Sequence, residues 1–242
     1  MKESGSNQCV AVVTGAGGGI GRAVSLLLAD QKFKVVLAGR TLASLQDVAK
    51  TIVGNGGTAR VIQTDISDEA SIVSLFEQVL ANDGFIDVLI NNAGVGRFGP
   101  LAEAKTEDLD LVLNTNLRGT YLCCREAMRA MGARGSGVII NIASVVAEKG
   151  YPLQSAYVAS KHGVMGLTKS LAVEAQALGV RVSAILPGGV DTAMVRDARP
   201  DLEPESLLAP EDVAGAVDYL LGLSPRAAVD QIVIRRRGSS PF

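Results

Sequence analysis

Tyr157 and Lys161 stand four residues apart in a stretch of helical period, so their side chains share one face of a helix. That face continues through Val164, Thr168 and Leu171, so two polar residues head a mostly apolar stripe. A phenol ordinarily ionises near pH ~10, and an ammonium beside it favours the ionised form, bringing it toward the range useful for proton transfer. The pair can therefore serve as acid or base where a histidine would otherwise be expected. Ser144 closes the preceding apolar run, at the carboxyl edge of a strand where open α/β sheets bind ligands. Taken singly, a Tyr-x-x-x-Lys pair is also what an ordinary surface helix shows, a phenol lying beside a lysine.

A second group of residues could hold a phosphate. Thr14-Gly15-Ala16-Gly17-Gly18-Gly19-Ile20-Gly21 follows an apolar run and leads into a helical stretch. Such a turn brings backbone close to a pyrophosphate, and the helix N-terminus offers unpaired N–H groups and partial positive charge. It is not an NTPase loop, which ends in Gly-Lys-Ser/Thr, because Gly21 is followed by Arg22 and Ala23. The spacing G-x-G-x-x-G fails as well, since position 20 is Ile; what fits is G-x-x-x-G-x-G on Gly15, Gly19 and Gly21. Further on, Leu37-Ala38-Gly39-Arg40-Thr41 ends the second run, and no carboxylate stands there to take a ribose 2′-hydroxyl before Asp47. Arg40 instead offers a cationic fork suited to a 2′-phosphate.

These groups need a frame to hold them. Apolar runs rich in Val and Ile occupy 9–14, 34–38, 60–64, 86–91, 138–142, 180–186 and 231–234, and helical stretches fall near 20–31, 42–54, 69–82, 106–131, 156–178 and 211–222. Continuous β-branched runs suit strands buried on both faces. Acids open several helices: Asp68 and Glu69 after Ser67, Glu107 and Asp108 after Thr106, Glu211 and Asp212 after Pro210. Gly179 and Gly222 stand where C-terminal caps are expected. The alternation predicts a doubly wound α/β fold with a parallel sheet, built as one domain over 1–242 because no linker divides it.

Composition removes other classes. With 48% hydrophobic residues and no apolar run near the ~18 residues of a membrane span, the sequence reads as a soluble globular chain. A net charge of −2 gives no footprint for nucleic acid, and Arg235, Arg236 and Arg237 read as a solvated tail over 235–242. Three cysteines without C-x-x-C spacing and a single His162 support neither a disulfide framework nor a metal site, which favours a reducing, cytoplasmic setting. Residues 1–7 are polar and read as a flexible lead-in.

In order and spacing, the glycine turn 14–21, Asn91-Asn92-Ala93-Gly94, Ser144, Tyr157-Val158-Ala159-Ser160-Lys161 and Pro187-Gly188 resemble the signature of the classical short-chain dehydrogenase/reductase family, over roughly residues 8 to 222. The resemblance implies a Rossmann-type sheet of about seven parallel strands with helices on both faces. It also implies a nicotinamide cofactor, NADP(H) given Arg40, and hydride transfer between carbonyl and alcohol. Under it, Tyr157 exchanges the proton with the reacting oxygen, Lys161 holds the nicotinamide ribose and depresses the Tyr157 pKa, and Ser144 bonds the reacting oxygen. Asn116 then matches the family's asparagine that helps hold a proton-relay water. Gly15, Gly18, Gly19, Ile20 and Gly21 would hold the pyrophosphate, and Asp65 and Ile66 the adenine. Asn91, Ala93 and Gly94 would line the adenosine and ribose side, and Val190 and Thr192 the carboxamide.

The tail departs from the family's Asp-Gly-Gly ending, which puts the familiar homotetramer in doubt and leaves a homodimer through the long helices open. Residues 193–209 should fold over the substrate as a lid. Its Arg196, Arg199, Asp201, Glu203 and Glu205 favour a small polar carbonyl or alcohol substrate. Other expected pocket positions are Val95, Arg97 and Phe98, and Val145, Val146, Glu148, Tyr151 and Leu153. His162 and the pair Cys123-Cys124 read as packing residues. Two alternatives stand beside a carbonyl reductase: a 3-oxoacyl-thioester reductase, and a catalytically silent NADP(H)-sensing regulator, which should lack one of Asn116, Ser144, Tyr157 or Lys161.

Overall fold

The computed structural model describes residues 8–198 and 201–240; the expected lead-in 1–7, Arg199 of the lid and the last two tail positions lie outside the described residues. Seven parallel strands form the sheet: β1 (Val10–Thr14), β2 (Lys34–Gly39), β3 (Thr58–Gln63), β4 (Val88–Asn91), β5 (Gly137–Ile142), β6 (Val180–Pro187) and β7 (Gln231–Ile234). Their order is β3-β2-β1-β4-β5-β6-β7. The helices that cross between them are α1 (Gly19–Asp30), α2 (Leu42–Gly54), α3 (Glu69–Asp83), α4 (Thr106–Leu113), α5 (Thr120–Arg134), α6 (Ser155–Gln176), α7 (Ala193–Ala198) and α8 (Pro210–Leu221).

Alternate strand residues feed two cores, as the two-residue period of a strand requires. Ala11, Val13, Leu37 and Ile90 face Leu28 of α1, Leu45 of α2 and Val217 of α8. Val10, Val12, Val36 and Leu89 face Leu75 of α3, Met131 of α5 and Leu171 of α6. Burial on both faces is why β1 and β4 read as unbroken apolar runs.

One local expectation is corrected. The stretch 106–131 is not one helix: a π-helical turn, Asn114–Gly119, separates α4 from α5. Within that turn the Asn116 carbonyl accepts from the Thr120 hydroxyl at 2.7 Å, and the Asn116 amide bonds Val95 after β4 and Ser160 of α6. At α3 the expected acids open the helix: Asp68 caps it, its carboxylate accepting from the Ala70 and Ser71 N–H groups, and Glu69 stands in the first turn, while the Ser67 hydroxyl donates to Asp65.

The chain reverses direction across the sheet between β1 and β4, and the carboxyl ends of these strands part to form a crevice. Thr14 ties the two ends together there. Its hydroxyl donates to the Ile90 carbonyl at 3.3 Å and accepts from Asn92 N–H at 3.0 Å and Ala93 N–H at 3.1 Å.

Candidate active site

The glycine turn sits at the floor of this crevice. Gly15 has φ +64, and a Cβ there would lie 2.8 Å from the Ala93 Cα; one on Gly21 would lie 2.1 Å from the Gly15 carbonyl oxygen. Both positions are closed to any side chain by backbone. Gly18, by contrast, has nothing within 4 Å of its hypothetical Cβ and opens onto the crevice. No side chain caps the N-terminus of α1, so its first N–H groups and dipole are available to an anion.

Two adjoining cavities continue from the turn. One, of about 210 Å³, is bordered by Gly15, Gly18, Arg40, Asp65, Ile66, Ala93, Gly94 and Thr115. In it, burial works to raise the Asp65 carboxyl, but bonds from the Ser67 N–H (2.9 Å) and hydroxyl (2.7 Å), with the Arg40 charge, outweigh burial and hold it below the usual range. The other, of about 300 Å³, is bordered by Gly19, Ile20, Asn92, Ser144, Tyr157, Lys161, Val190 and Thr192. The expected phosphate, adenosine and carboxamide positions thus border two adjoining cavities, with Gly21 and Asn91 the exceptions.

Asn91 lies beneath the groove, not in it. It is buried, and its amide donates to Asn141 Oδ1 at 2.9 Å and to Cys124 Sγ at 3.2 Å; the Asn141 amide in turn donates to the Thr168 hydroxyl at 2.8 Å. The groove-facing residue is its neighbour Asn92, whose amide donates to the Thr14 and Gly15 carbonyls at 3.0 and 3.2 Å and so holds the glycine turn. Thr14, Asn92 and Thr115 are site residues that the motifs did not single out, although Thr14 and Asn92 stand inside the motifs themselves.

Ser144 leaves β5 into a short 3-10 turn at 145–147, with its hydroxyl only loosely held: it accepts from Val146 N–H at 3.3 Å and donates to the Pro187 carbonyl at 3.4 Å. Tyr157 and Lys161 extend from the first turns of α6, the ammonium 5.7 Å from the phenol ring centroid. Lys161 Nζ donates to the Ile142 carbonyl at 2.8 Å, and burial pushes it down to about 8. Burial pushes the Tyr157 phenol up to about 12, with the Ser144 hydroxyl pulling the other way. The expected depression of Tyr157 by Lys161 is therefore not what dominates here: desolvation of the phenolate does.

Asn116 reaches the site through its amide, which accepts from Val95 N–H at 2.8 Å and donates to the Val95 carbonyl at 2.9 Å and the Ser160 hydroxyl at 3.0 Å. It couples the π turn to the β4 loop and to the helix that carries Tyr157 and Lys161. His162 points away, exposed, with Nδ1 at 3.0 Å from the Val158 carbonyl of its own helix. Cys123 and Cys124 are buried, and desolvation raises both thiols, Cys124 to about 12.

Residues 9–203 match the family model for short chain dehydrogenases. The chain belongs to that family. It is 36% identical over 234 residues to a sepiapterin reductase of Chlorobaculum tepidum, covering 93% of this chain and 95% of the relative. It is 39% identical over 220 residues to a cis-4-hydroxycyclohexanecarboxylate dehydrogenase of Sinomonas cyclohexanicum, covering 87% of this chain and 88% of the other. Among solved structures, a metagenomic short-chain oxidoreductase in complex with NADP superposes with a TM-score of 0.85 at 35% identity, over 96% of this chain and 98% of that one.

Proposed function

We propose that the protein is an NADP(H)-dependent oxidoreductase that interconverts a carbonyl and an alcohol. The observation that carries this reading is the convergence of Ser144, Tyr157 and Lys161 on one cavity that continues from the glycine turn. The groove fits the dinucleotide: an uncapped helix N-terminus and the open side of Gly18 face it, and Arg40 stands at its far end. NADP(H), when bound, supplies or accepts the hydride. Tyr157, a neutral phenol at physiological pH, gives its proton to the carbonyl oxygen in reduction and recovers it from the alcohol in the reverse direction. Ser144 donates to the same oxygen as charge develops on it. Lys161 would hold the ribose side, and its ammonium, 5.7 Å from the ring centroid, favours the phenolate left when the proton has been given up. Asn116 acts as a positioning residue, since its amide is committed to Val95 and Ser160 and its main-chain carbonyl accepts from the Thr120 hydroxyl.

Replacing Tyr157 by Phe should lower turnover by at least ~10³-fold while NADPH binding, read by nucleotide fluorescence, is retained. Turnover preserved in that variant refutes the reading. The silent-regulator alternative is disfavoured because all four residues are present and grouped.

The finer features of this reading are also our proposal. Residues 1–242 form one catalytic domain, with 193–209 as the lid; its base is tied by Leu208 N–H to the Gly189 carbonyl at 2.9 Å and Asp191 N–H to the Leu208 carbonyl at 2.8 Å. The partner is a small-molecule carbonyl or alcohol, without nucleic acid or membrane; no helix of the described residues is long and apolar enough to cross one. The setting is cytoplasmic, which suits three free thiols. The protein is a homodimer or homotetramer through α5 and α6, where Tyr121 and Val173 are exposed.

A further inference from the structure

The Tyr157 ring has an aromatic neighbour that proton transfer does not require. Phe98, in the loop after β4, meets it edge to face, with centroids 5.8 Å apart and planes at 69°. Phe98 is still 37% exposed, so apolar surface is kept in water right beside the reacting phenol. Leu153 is brought to the same place: Gly99 N–H donates to the Leu153 carbonyl at 2.8 Å, joining the Phe98 loop to the one that precedes α6. Leu153 adopts φ +64, a region that residues with a Cβ rarely occupy, and its side chain is 57% exposed. Met194 and Val195 of α7 line the cavity that holds Ser144 and Tyr157. Apolar side chains thus border the reacting groups at Phe98, through its contact with the Tyr157 ring, and at Met194 and Val195, in the cavity lining.

Arg97 and Arg196, beside these side chains, are each paired with a carboxylate of this chain. Arg97, next to Phe98, donates to Asp108 at 3.1 Å and to the Gly96 carbonyl at 2.9 Å. At the base of α7, Arg196 and Asp191 form two bonds of 2.6 and 2.8 Å. Glu148 accepts from Gln231 at 2.7 Å. A substrate carboxylate placed against these apolar side chains would lose its hydration and meet apolar surface.

We infer that Phe98 is a specificity-determining residue which, with Leu153 and Met194, selects an uncharged ketone flanked by an apolar ring or chain. The inference rests on the carbonyl-reductase reading and refines it. It reverses the expectation of a polar substrate drawn from the lid's charges, because Arg196 of that lid is paired with Asp191.

The test compares phenylacetone with phenylpyruvate, which carry the same ring and differ in a methyl against a carboxylate at the ketone. Both are assayed with NADPH and the full chain, with diacetyl as a small uncharged control. kcat/KM for phenylacetone should exceed that for phenylpyruvate at least ~10-fold, as desolvating an unpaired carboxylate demands. Phe98→Ala should lower the phenylacetone value about 10-fold, mainly through KM, with NADPH affinity and thermal midpoint unchanged; Phe98→Leu should recover part of the loss. Equal or better use of phenylpyruvate, or an unchanged preference in Phe98→Ala, overturns the inference while leaving the reductase reading intact if diacetyl is reduced. Failure to reduce any of the three, with NADPH bound, overturns the reductase reading and the inference together.

Discussion

Lys161 carries the clearest consequence at the scale of single residues. Its ordinary pKa of 10.5 is lowered to about 8 by burial, so the folded chain holds that proton less tightly than the unfolded chain does. The penalty of burying the ammonium is full below about pH 8, fades between the two values, and is gone above the unfolded one; stability therefore rises with pH across that window. Lys161→Met should raise the melting midpoint at pH 7 by about 5 °C, from a penalty of at most ~3 kcal/mol, with the gain vanishing above pH ~10.5. It should also lose activity, so calorimetry and turnover should move in opposite directions. In the unmodified protein, carbonyl reduction should fall as pH rises through about 8, where Lys161 loses its charge, because the Tyr157 phenol is still protonated there. A reduction rate that stays level to pH 10 counts against this role. Arg40 acts at the other end of the groove: Arg40→Ala should narrow the NADPH over NADH preference by about 10- to 100-fold, the range of a lost charge-assisted bond. Equal use of NADH by the unaltered protein would refute the role given to Arg40.

Among the elements, the π turn shows how a local irregularity joins distant parts of the site. Arg118 projects from it and donates to the Ser67 carbonyl at 3.2 Å and to Glu69 Oε2 at 3.0 Å, while Arg125 of α5 takes Glu69 Oε1 at 2.9 Å. The turn that aims Asn116 is thereby strapped to the loop carrying Asp65 and Ile66. Exposed pairs of this kind contribute about 0.2–1 kcal/mol, so Arg118→Ala should raise KM for NADPH about two- to fivefold and leave the melting midpoint nearly unchanged. Titration of KM and kcat separately checks it. What the sequence disclosed here divides by physical cause. The glycine turn, Ser144 and the Tyr157–Lys161 pair were legible because each is contiguous or one helical turn apart. Asn91 was misassigned to the groove because adjacent strand residues face opposite sides, so a one-residue choice at the end of β4 decides between floor and interior. The π turn was invisible because one extra residue per turn leaves no mark in a period of apolar positions. The charge pairs Arg97–Asp108 and Arg196–Asp191 depend on how loops fold, so the sequence showed the charges near the substrate side but not their partners.

For the whole molecule, the sheet order sets where function can lie. Because β1 sits between β2 and β4, everything the chemistry needs is delivered to one edge by loops that follow strands, whatever the distance in sequence. The Thr14 hydroxyl, bonded to Ile90, Asn92 and Ala93, fixes the two halves at the point where they part. Thr14→Val leaves those N–H groups without their acceptor and should cost about 1–3 kcal/mol of stability together with NADPH affinity, whereas Thr14→Ser should keep both. Light scattering coupled to size exclusion decides the assembly, with a dimer or larger expected from the exposed Tyr121 and Val173; a monomer at micromolar concentration refutes association through α5 and α6.

The outermost strand, β7, has four residues, and its Val233 side chain is 49% exposed. An open row of N–H and C=O groups along such a border invites strands from other molecules to pair with it. Here the chain turns off that border at once: the Arg235 guanidinium donates to the carbonyls of Arg236 at 3.3 Å, Arg237 at 3.4 Å and Ser239 at 2.8 Å, curling the backbone away and leaving a run of positive charge. The exposed length of that border is thereby confined to the four residues of β7, which limits the backbone a foreign strand could pair with.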